Sequence, residues 1–460
     1  MTEPLNSTPL DLPLPTPENQ EMVSIWVSPL HPLLRLKAAL DWQALEAVMV
    51  RHWRQAGKNV AAGPGLPFPV SLYVPLLVLM AVKGLNPRQA QEYIEENVYG
   101  RKFLGLEQEL DSHVRDHSNI SRAQSALGLR GYEEVNQLLV KQAVALGFAK
   151  LEVLSSDTTV QEPLMGYPHE AGILRGVAQR VCRALLKLKK QGYEYGEALL
   201  QQSKEVLQKV KNYHLFTRGK AAKDVALKEL VELSQELLKG SQKLVEKIGP
   251  AVSGAALSAL KKLHQMQAFG EQLLPQITSW LDTGVVASEK LLHPTLTEAR
   301  AVVKNKTGKK LEFGLKWLLN RLKGGYVFGE VVSRSLSESL MPLLSLQKYR
   351  ELFGQAATPE LVVYDRGASD ATTEKKLAKA GVKKIGIQPK GKKEWLVAEA
   401  DQKEVLSHRG KTEGIIGSLK AKCYDFNKGR QRSNESLKAA GQRAILGLNL
   451  NNLMRDLMAK

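Results

Sequence analysis

Cysteine is nearly missing: Cys182 and Cys423 are the two in 460 residues. They cannot build a disulfide framework, and no CxxC pair offers soft ligands to zinc. A reducing, intracellular setting is the expectation. Long apolar runs are missing as well. The longest, Val70 to Val82, is broken by Pro75 and falls short of the about 20 residues that span a bilayer. The opening MTEPLNSTPLDLPLPTPENQ has neither the basic nor the apolar region of a signal peptide. No membrane insertion is expected. Negative charge is in short supply too: 47 Asp and Glu face 65 Lys and Arg, a formal charge of +18. That excess points to a polyanion, nucleic acid first and an acidic membrane surface second.

What is present reads as globular. Hydrophobic residues make up 43% and charged residues 24%, so the chain can bury cores, and its length calls for two or three bodies. Residues 1 to about 20 are Pro-rich and aperiodic. From His31 the apolar residues recur at helical spacing. Ser71 to Lys83 reads as a buried helix, and Gly84-Leu85-Asn86-Pro87 ends it and starts another, with Asn86 as N-cap. Two helices around that turn have the outline of a helix-turn-helix, in which Arg88, Gln89 and Gln91 are of the types that reach base edges. Glu92, Glu95 and Glu96 would repel phosphates, and a plain helical hairpin has the same pattern. Asp116 to Gly128 predicts a further helix capped by Ser118 or Asn119. His113 and His117 lack a third metal ligand and read as surface or capping residues.

Leu151 to Ser156 predicts a short strand ending at Asp157. Helical stripes follow, through Leu199, Val206, Val210 and Tyr213, then through Leu227 to Ile248, where Gly249-Pro250 stops them. Leu311 to Leu322 and Tyr326 to Ser333 predict strands joined by a Lys323-Gly324-Gly325 hairpin. Ser335 to Phe353 reads as a helix and Glu360 to Tyr364 as a strand ending at Asp365. Thr372 to Ala380 predicts a helix, Lys384 to Ile387 a strand, and Lys411 to Tyr424 a helix carrying Glu413. One three-layer α/β body accommodates this order, with the helical block inserted after the first strand.

Aspartates at the ends of two neighbouring strands lie side by side, at the sheet edge where ligand sites gather. A glutamate from a nearby helix completes a trio. Carboxylates so close repel one another unless divalent cations sit among them, and oxygen donors suit Mg²⁺ or Mn²⁺. Two such ions can activate an attacking oxygen and stabilise the leaving oxygen of a phosphodiester. Taken singly, each of Asp157, Asp365 and Glu413 reads as a turn or cap residue; their joint placement carries the site reading. Asp370 lies past the strand end and reads as a helix cap.

Several ordered motifs resemble a family. DTTVQEPLMGYPHEAGIL, from Asp157, is similar to the first-aspartate motif of bacterial insertion-sequence DDE transposases, with Tyr167, Pro168 and Glu170 matching its Tyr-Pro-acidic signature. VVYDRGASD resembles the second motif, around Asp365. HRGKTEGIIGSLK matches the Arg, Glu, Lys spacing of the third through Arg409, Glu413 and Lys420. KNKTGKKLEFGLK and residues 31 to 128, including FLGL and DHSNISR, also resemble family segments. Leu406 stands where the family often has tyrosine.

The resemblance implies an α/β RNase H-like catalytic core with a helical N-terminal domain and a long helical insertion after the first core strand. The implied division is 1–22 flexible tail, 23–148 helical DNA-binding domain, 149–170 with 296–445 catalytic domain, 171–295 insertion, and 446–460 C-terminal helix. It implies that Asp157, Asp365 and Glu413 are catalytic and hold Mg²⁺ (or Mn²⁺), and that the chain cleaves transposon ends and joins them to target DNA. Double-stranded DNA and a homo-oligomer assembled on it are the implied partners, in a nucleoid-associated, cytoplasmic setting. A non-catalytic DNA-binding derivative and a metal-dependent nuclease that cannot join ends are the rivals.

Charge agrees with the resemblance on where DNA lies. Residues 375–432 carry 16 Lys and Arg against 6 Asp and Glu, +10 of the total +18. Lys390, Lys392 and Lys393 form a basic loop there, and Arg409 and Lys420 flank Glu413, so all five are candidates for phosphate contacts, with Arg88 on the N-terminal side. Lys420 falls two helical turns past Glu413, while Arg409 precedes the helix. Trp395 could stack on a flipped base, but its alternating run favours a core or edge role. Cys423 reads as a packing residue.

Overall fold

The structure, a computed structural model, describes residues 28–60, 69–106, 116–193, 196–249, 254–303, 311–391, 394–395, 397–429 and 431–460. The expected N-terminal tail, His113, Lys392 and Lys393, most of the Gly63–Pro69 loop and most of the Lys304 lead-in fall outside them.

Mixed α/β architecture, rich in helix, is what the described residues form. Six strands, β1 (Lys150–Gln161), β2 (Arg300–Val303), β3 (Leu311–Lys323), β4 (Val327–Val331), β5 (Leu361–Tyr364) and β6 (Lys384–Ile387), make one sheet in the order β2-β3-β1-β5-β6, with β4 also paired to β3. β3 runs antiparallel to β1, β2 and β4, whereas β5 is parallel to β1 and to β6. The β3–β4 hairpin turns on Gly324 and Gly325, both at positive φ. A Cβ on Gly324 would lie 2.1 Å from the Phe148 carbonyl oxygen, so glycine is obligatory there.

The described residues also form fourteen α-helices. α1 (Pro32–Ala39), α2 (Trp42–Gln55), α3 (Val70–Lys83), α4 (Pro87–Glu96), α5 (Val98–Leu104) and α6 (His117–Ala145) precede β1. α7 (Glu170–Lys189), α8 (Glu197–Leu215), α9 (Lys220–Ile248) and α10 (Gly254–Thr283) lie between β1 and β2. α11 (Met341–Phe353), α12 (Ala371–Lys379), α13 (Glu399–Leu419) and α14 (Asn434–Ala459) complete the chain. α3 and α4 meet at 99° around Gly84 and Asn86, with the expected cap closed into a capping box by Gln89. Among the described residues no single helix is long and apolar enough to cross a membrane.

The N-terminal helices share a core with Leu446, Leu450 and Leu453 of α14 and with Leu154, Leu322 and Phe328 of the sheet. α14 seals β4 with amide side chains. Asn449 accepts from the Val327 N–H at 2.8 Å and donates to its carbonyl at 2.7 Å, and Gln442 donates to the Gly329 carbonyl. These bonds satisfy backbone groups that a bare strand edge would expose. α7 to α10 form a separate core around Val181, Leu230, Leu237, Leu263 and Phe269. Alternation in β5 sets the layers: Val362 and Tyr364 pack with α11 and α12, while Leu361 and Val363 pack with Val405 of α13.

Three local readings need correction. Asp116, not Ser118 or Asn119, caps α6, accepting from the Ser118 N–H at 2.9 Å. β1 continues through Gln161, so Asp157 lies inside the strand. Gln161 is buried there, bonded to the Trp317 indole N–H and the Leu437 carbonyl. α13 begins at Glu399, twelve residues ahead of the expected Lys411. Its acidic first turn favours that start, and burial of Val405 and His408 carries the helix through Gly410.

His293, in the segment joining α10 to β2, generates a prediction. Burial, then Arg180, pushes its pKa down to about 4, and its Nδ1 accepts from the Thr295 and Leu296 N–H groups, which requires it unprotonated. Below its ordinary value near 6.5 the unfolded chain binds the proton that the folded chain refuses, so stability falls as pH drops from about 6.5 towards 4. His293→Asn should flatten that part of the stability–pH curve in urea titrations; an unchanged slope would contradict the assignment.

Candidate active site

Strand periodicity aims two aspartates at one helix. Val153, Ser155 and Asp157 of β1 share a face, as do Leu361, Val363 and the following Asp365. Val153, Leu361 and Val363 sit in one apolar cluster with Val405 of α13, which identifies the face. Ser155 is level with Val363, and the same register carried two residues on sets Asp157 beside Asp365.

α13 is fixed over that face by a buried hydroxyl pair, Ser155 Oγ to Thr412 Oγ1 at 2.7 Å. Thr412 also donates to the His408 carbonyl at 3.1 Å. Gly386 lets Val405 approach β6 closely: a Cβ there would be 2.8 Å from the Val405 methyl. With Thr412 held on Ser155, the next residue, Glu413, comes to the carboxylate pair. Ser155, Asp157, Asp365, Arg409, Thr412 and Glu413 line one small pocket of about 10 Å³.

Arg409 is the cation of this pocket. Because it lies on α13 rather than before it, Arg409 and Glu413 are one turn apart. Its guanidinium reaches Asp365 Oδ1 at 2.6 Å and Glu413 Oε1 at 3.3 Å. Asp365 also accepts from the Arg366 N–H, and Asp157 from the Thr158 N–H, both at 2.7 Å. The Asp365 and Glu413 side chains are 44% and 57% exposed, so each ion pair is worth about 1 kcal/mol or less. Such a bridge is easily exchanged.

Among the described residues no three His, Cys, Asp or Glu side chains stand close enough together to hold a metal ion. The three carboxylates share the pocket, but a guanidinium separates two of them.

The other expected contacts divide. Lys390 donates to the Gly367 carbonyl at 2.9 Å, placing its ammonium group on the loop after Asp365. Lys420 is the C-cap of α13 and stands 3.6 Å from Glu312. Arg88 is exposed in the first turn of α4 and does not line the pocket. Asp370 caps α12 through the Thr373 N–H, as expected. Trp395 donates to the Ile387 carbonyl and packs on the α13-side cluster, which favours its core role. Cys423 is exposed in a short 3-10 turn after α13, not within it.

A second network escaped sequence reading. Glu338 accepts from the Tyr364 hydroxyl at 3.1 Å and from Lys316 at 2.7 Å. Thr158, next to Asp157, donates to the same carboxylate at 3.4 Å. Burial, then Glu338 and Asp157, holds the Tyr364 hydroxyl pKa far above its ordinary value. Lys316 within an apolar strand was the visible signal. On the other face His408 is buried beside Arg321 at 3.3 Å, and burial, then Arg321, lowers its pKa.

Thr412→Val keeps the shape of α13 but leaves Ser155 Oγ only its 3.4 Å approach to the His408 carbonyl. Destabilisation by about 1–3 kcal/mol is expected from urea unfolding; a change below about 0.5 kcal/mol would show that the hydroxyl pair does not fix the helix.

Residues 21–126 match the family model of a transposase domain (DUF772). The matched stretch takes in α1 to α5 and the start of α6, and the pocket residues lie outside it. Comparison with curated proteins and with solved structures finds no match. The family match supports a transposase-related role for the chain.

Proposed function

We propose that the chain is a DDE-type DNA transposase with an RNase H-like core, cleaving element ends and joining them to target DNA. The observation that carries this reading is the arrival of Asp157, Asp365 and Glu413, from β1, the end of β5 and α13, in one pocket. The order β4-β3-β1-β5-β6, with carboxylates on the two central neighbours, supports the core assignment. The transposase-domain match supports the enzyme class and DNA as its partner.

Hard oxygen donors of this kind suit Mg²⁺ (or Mn²⁺), and Asp157, Asp365 and Glu413 would hold it. Arg409 already brings Asp365 and Glu413 to one positive charge, and Asp157 would have to close on the same point once the arginine leaves. When bound, divalent ions supply activation of the attacking oxygen and stabilisation of the leaving oxygen of a phosphodiester. The residues do the positioning. Arg409 gives up Asp365 and Glu413 and turns to a phosphate, Lys390 adds charge at the Asp365 loop, and Glu338 with Lys316 keeps Thr158 and the neighbouring Asp157 backbone in place.

The same bridge favours one second reading, a DNA-binding protein without chemistry, in which Arg409 permanently occupies Asp365 and Glu413. A strand-transfer assay with Mg²⁺ separates the two. Joined products should appear with the parent chain and drop to background with Asp365→Asn; equal products from both would sink the catalytic reading, and cleaved but never joined DNA would indicate a nuclease.

Arg409→Met removes the competing cation. Its melting temperature should rise further on addition of Mn²⁺ than the parent's, since the freed carboxylates bind the ion without displacing an arginine. Absence of any Mn²⁺ shift in both proteins would contradict the metal assignment.

A further inference from the structure

Three cations of the helical insertion sit against carboxylates: Lys189 with Glu197, Lys209 with Glu229, and Lys290 with Glu170. On one rim, where α7 meets α10, four cations cluster without such a contact among the described residues. Arg180, Arg183 and Lys187 follow one another at i, i+3 and i+7 along α7, a row about 10 Å long on one face. α10 packs alongside and continues it. Lys187 Nζ approaches Ser258 Oγ at 3.3 Å, and one turn on Lys262 donates to Gln265 at 3.0 Å. Arg180 is half-buried, spanning from the Gly176 carbonyl at 2.9 Å to Thr295 Oγ1 at 3.4 Å. Among the described residues none of these four cations makes an ion pair with a carboxylate.

We propose that Arg180, Arg183 and Lys187 of α7, with Lys262 of α10, form a contact site for DNA backbone phosphates on the rim of the helical insertion. It rests on the transposase reading for the identity of the polyanion. Three observations carry it. The cations are gathered without counter-charge, a cost to the folded chain that an anion relieves. Two of them are held in place: Arg180 is fixed by two oxygen acceptors and Lys262 by Gln265, so less side-chain freedom is lost on binding. The row is long enough to follow several phosphates of one strand, which rise about 3.4 Å per nucleotide. Like-charge crowding is consistent with this: burial, then Arg183, lowers the Arg180 pKa, and burial, then Arg180, lowers that of Lys262. The site is one of backbone contact, since its charged groups suit phosphates and phosphate contacts carry no sequence information directly.

The test uses full-length protein and a fluorescent duplex of arbitrary sequence, with anisotropy read as a function of NaCl. Arg183→Ala with Lys187→Ala and Lys262→Ala should lower the slope of log K against log [salt] by about 2 to 3, one unit or slightly less per lost phosphate contact. Arg180 is left intact because it is packed against the Thr295 segment. Lys211→Ala with Lys228→Ala and Lys243→Ala removes equal charge from exposed positions of α8 and α9 and should leave the slope at the parent value. Arg183→Lys with Lys187→Arg and Lys262→Arg should retain it. An unchanged slope in the first variant, or an equal fall in the second, overturns the proposal while the transposase reading stands. Parent protein that binds anionic lipid vesicles but no duplex overturns both. Normal binding slopes without strand transfer leave this site supported and remove the catalytic reading alone.

Discussion

Every feature of the candidate site depends on how α13 is docked against the central strand. The docking rests on a small polar contact, Ser155 with Thr412, inside an apolar frame of Val153, Leu361, Val363 and Val405. Apolar burial supplies the attraction but no register. The hydroxyl pair supplies the register, because it is buried and Ser155 Oγ, which reaches only α13 groups, would lose its partners if the helix slid by a turn. Glu413 and Arg409 are then carried to the Asp157–Asp365 edge as neighbours of Thr412 on a rigid helix.

The consequence is a pocket in which one guanidinium offsets part of the carboxylate charge. Arg409 spans Asp365 and Glu413, relieving the repulsion that three neighbouring carboxylates would otherwise create. Half-exposed pairs of this kind are weak, so the arrangement is stable enough to fold and loose enough to rearrange. Around it, polar groups are anchored rather than free. Glu338 ties Tyr364, Lys316 and Thr158 together on one face of the sheet, and His408 leans on Arg321 on the other.

Much of this was legible in the chain. The Lys384–Ile387 strand, the Gly324-Gly325 hairpin, the Asn86 cap and the Asp370 cap follow from local propensity, and the structure repeats them. The strand-terminal position of Asp365 followed from an apolar run with a clear end. Errors fell where tertiary contacts override local signals. Thr158 to Gln161 looks like a polar exit from a strand, yet pairing with β3 extends β1 through it and buries Gln161 against Trp317. Gly410 looks like a helix boundary, yet packing of Val405 and His408 runs α13 across it. The Arg409 bridge was beyond reach for a plainer reason: a spacing pattern does not say whether a cation beside carboxylates faces them or faces a ligand.

The charge excess also acquires a structural shape. It is spread over the stretch bracketing Glu413 and over the insertion, where Arg180, Arg183, Lys187 and Lys262 of α7 and α10 make no ion pair with a carboxylate among the described residues, while the sheet edge at the pocket is acidic and offset in part by Arg409. The direct test of the central claim is anomalous diffraction from crystals grown with Mn²⁺. The account predicts anomalous density between Asp157, Asp365 and Glu413, with Arg409 withdrawn from both of its carboxylates. Crystals with Mn²⁺ at other surface carboxylates, no density in this pocket, and Arg409 still bridging Asp365 to Glu413 would contradict it.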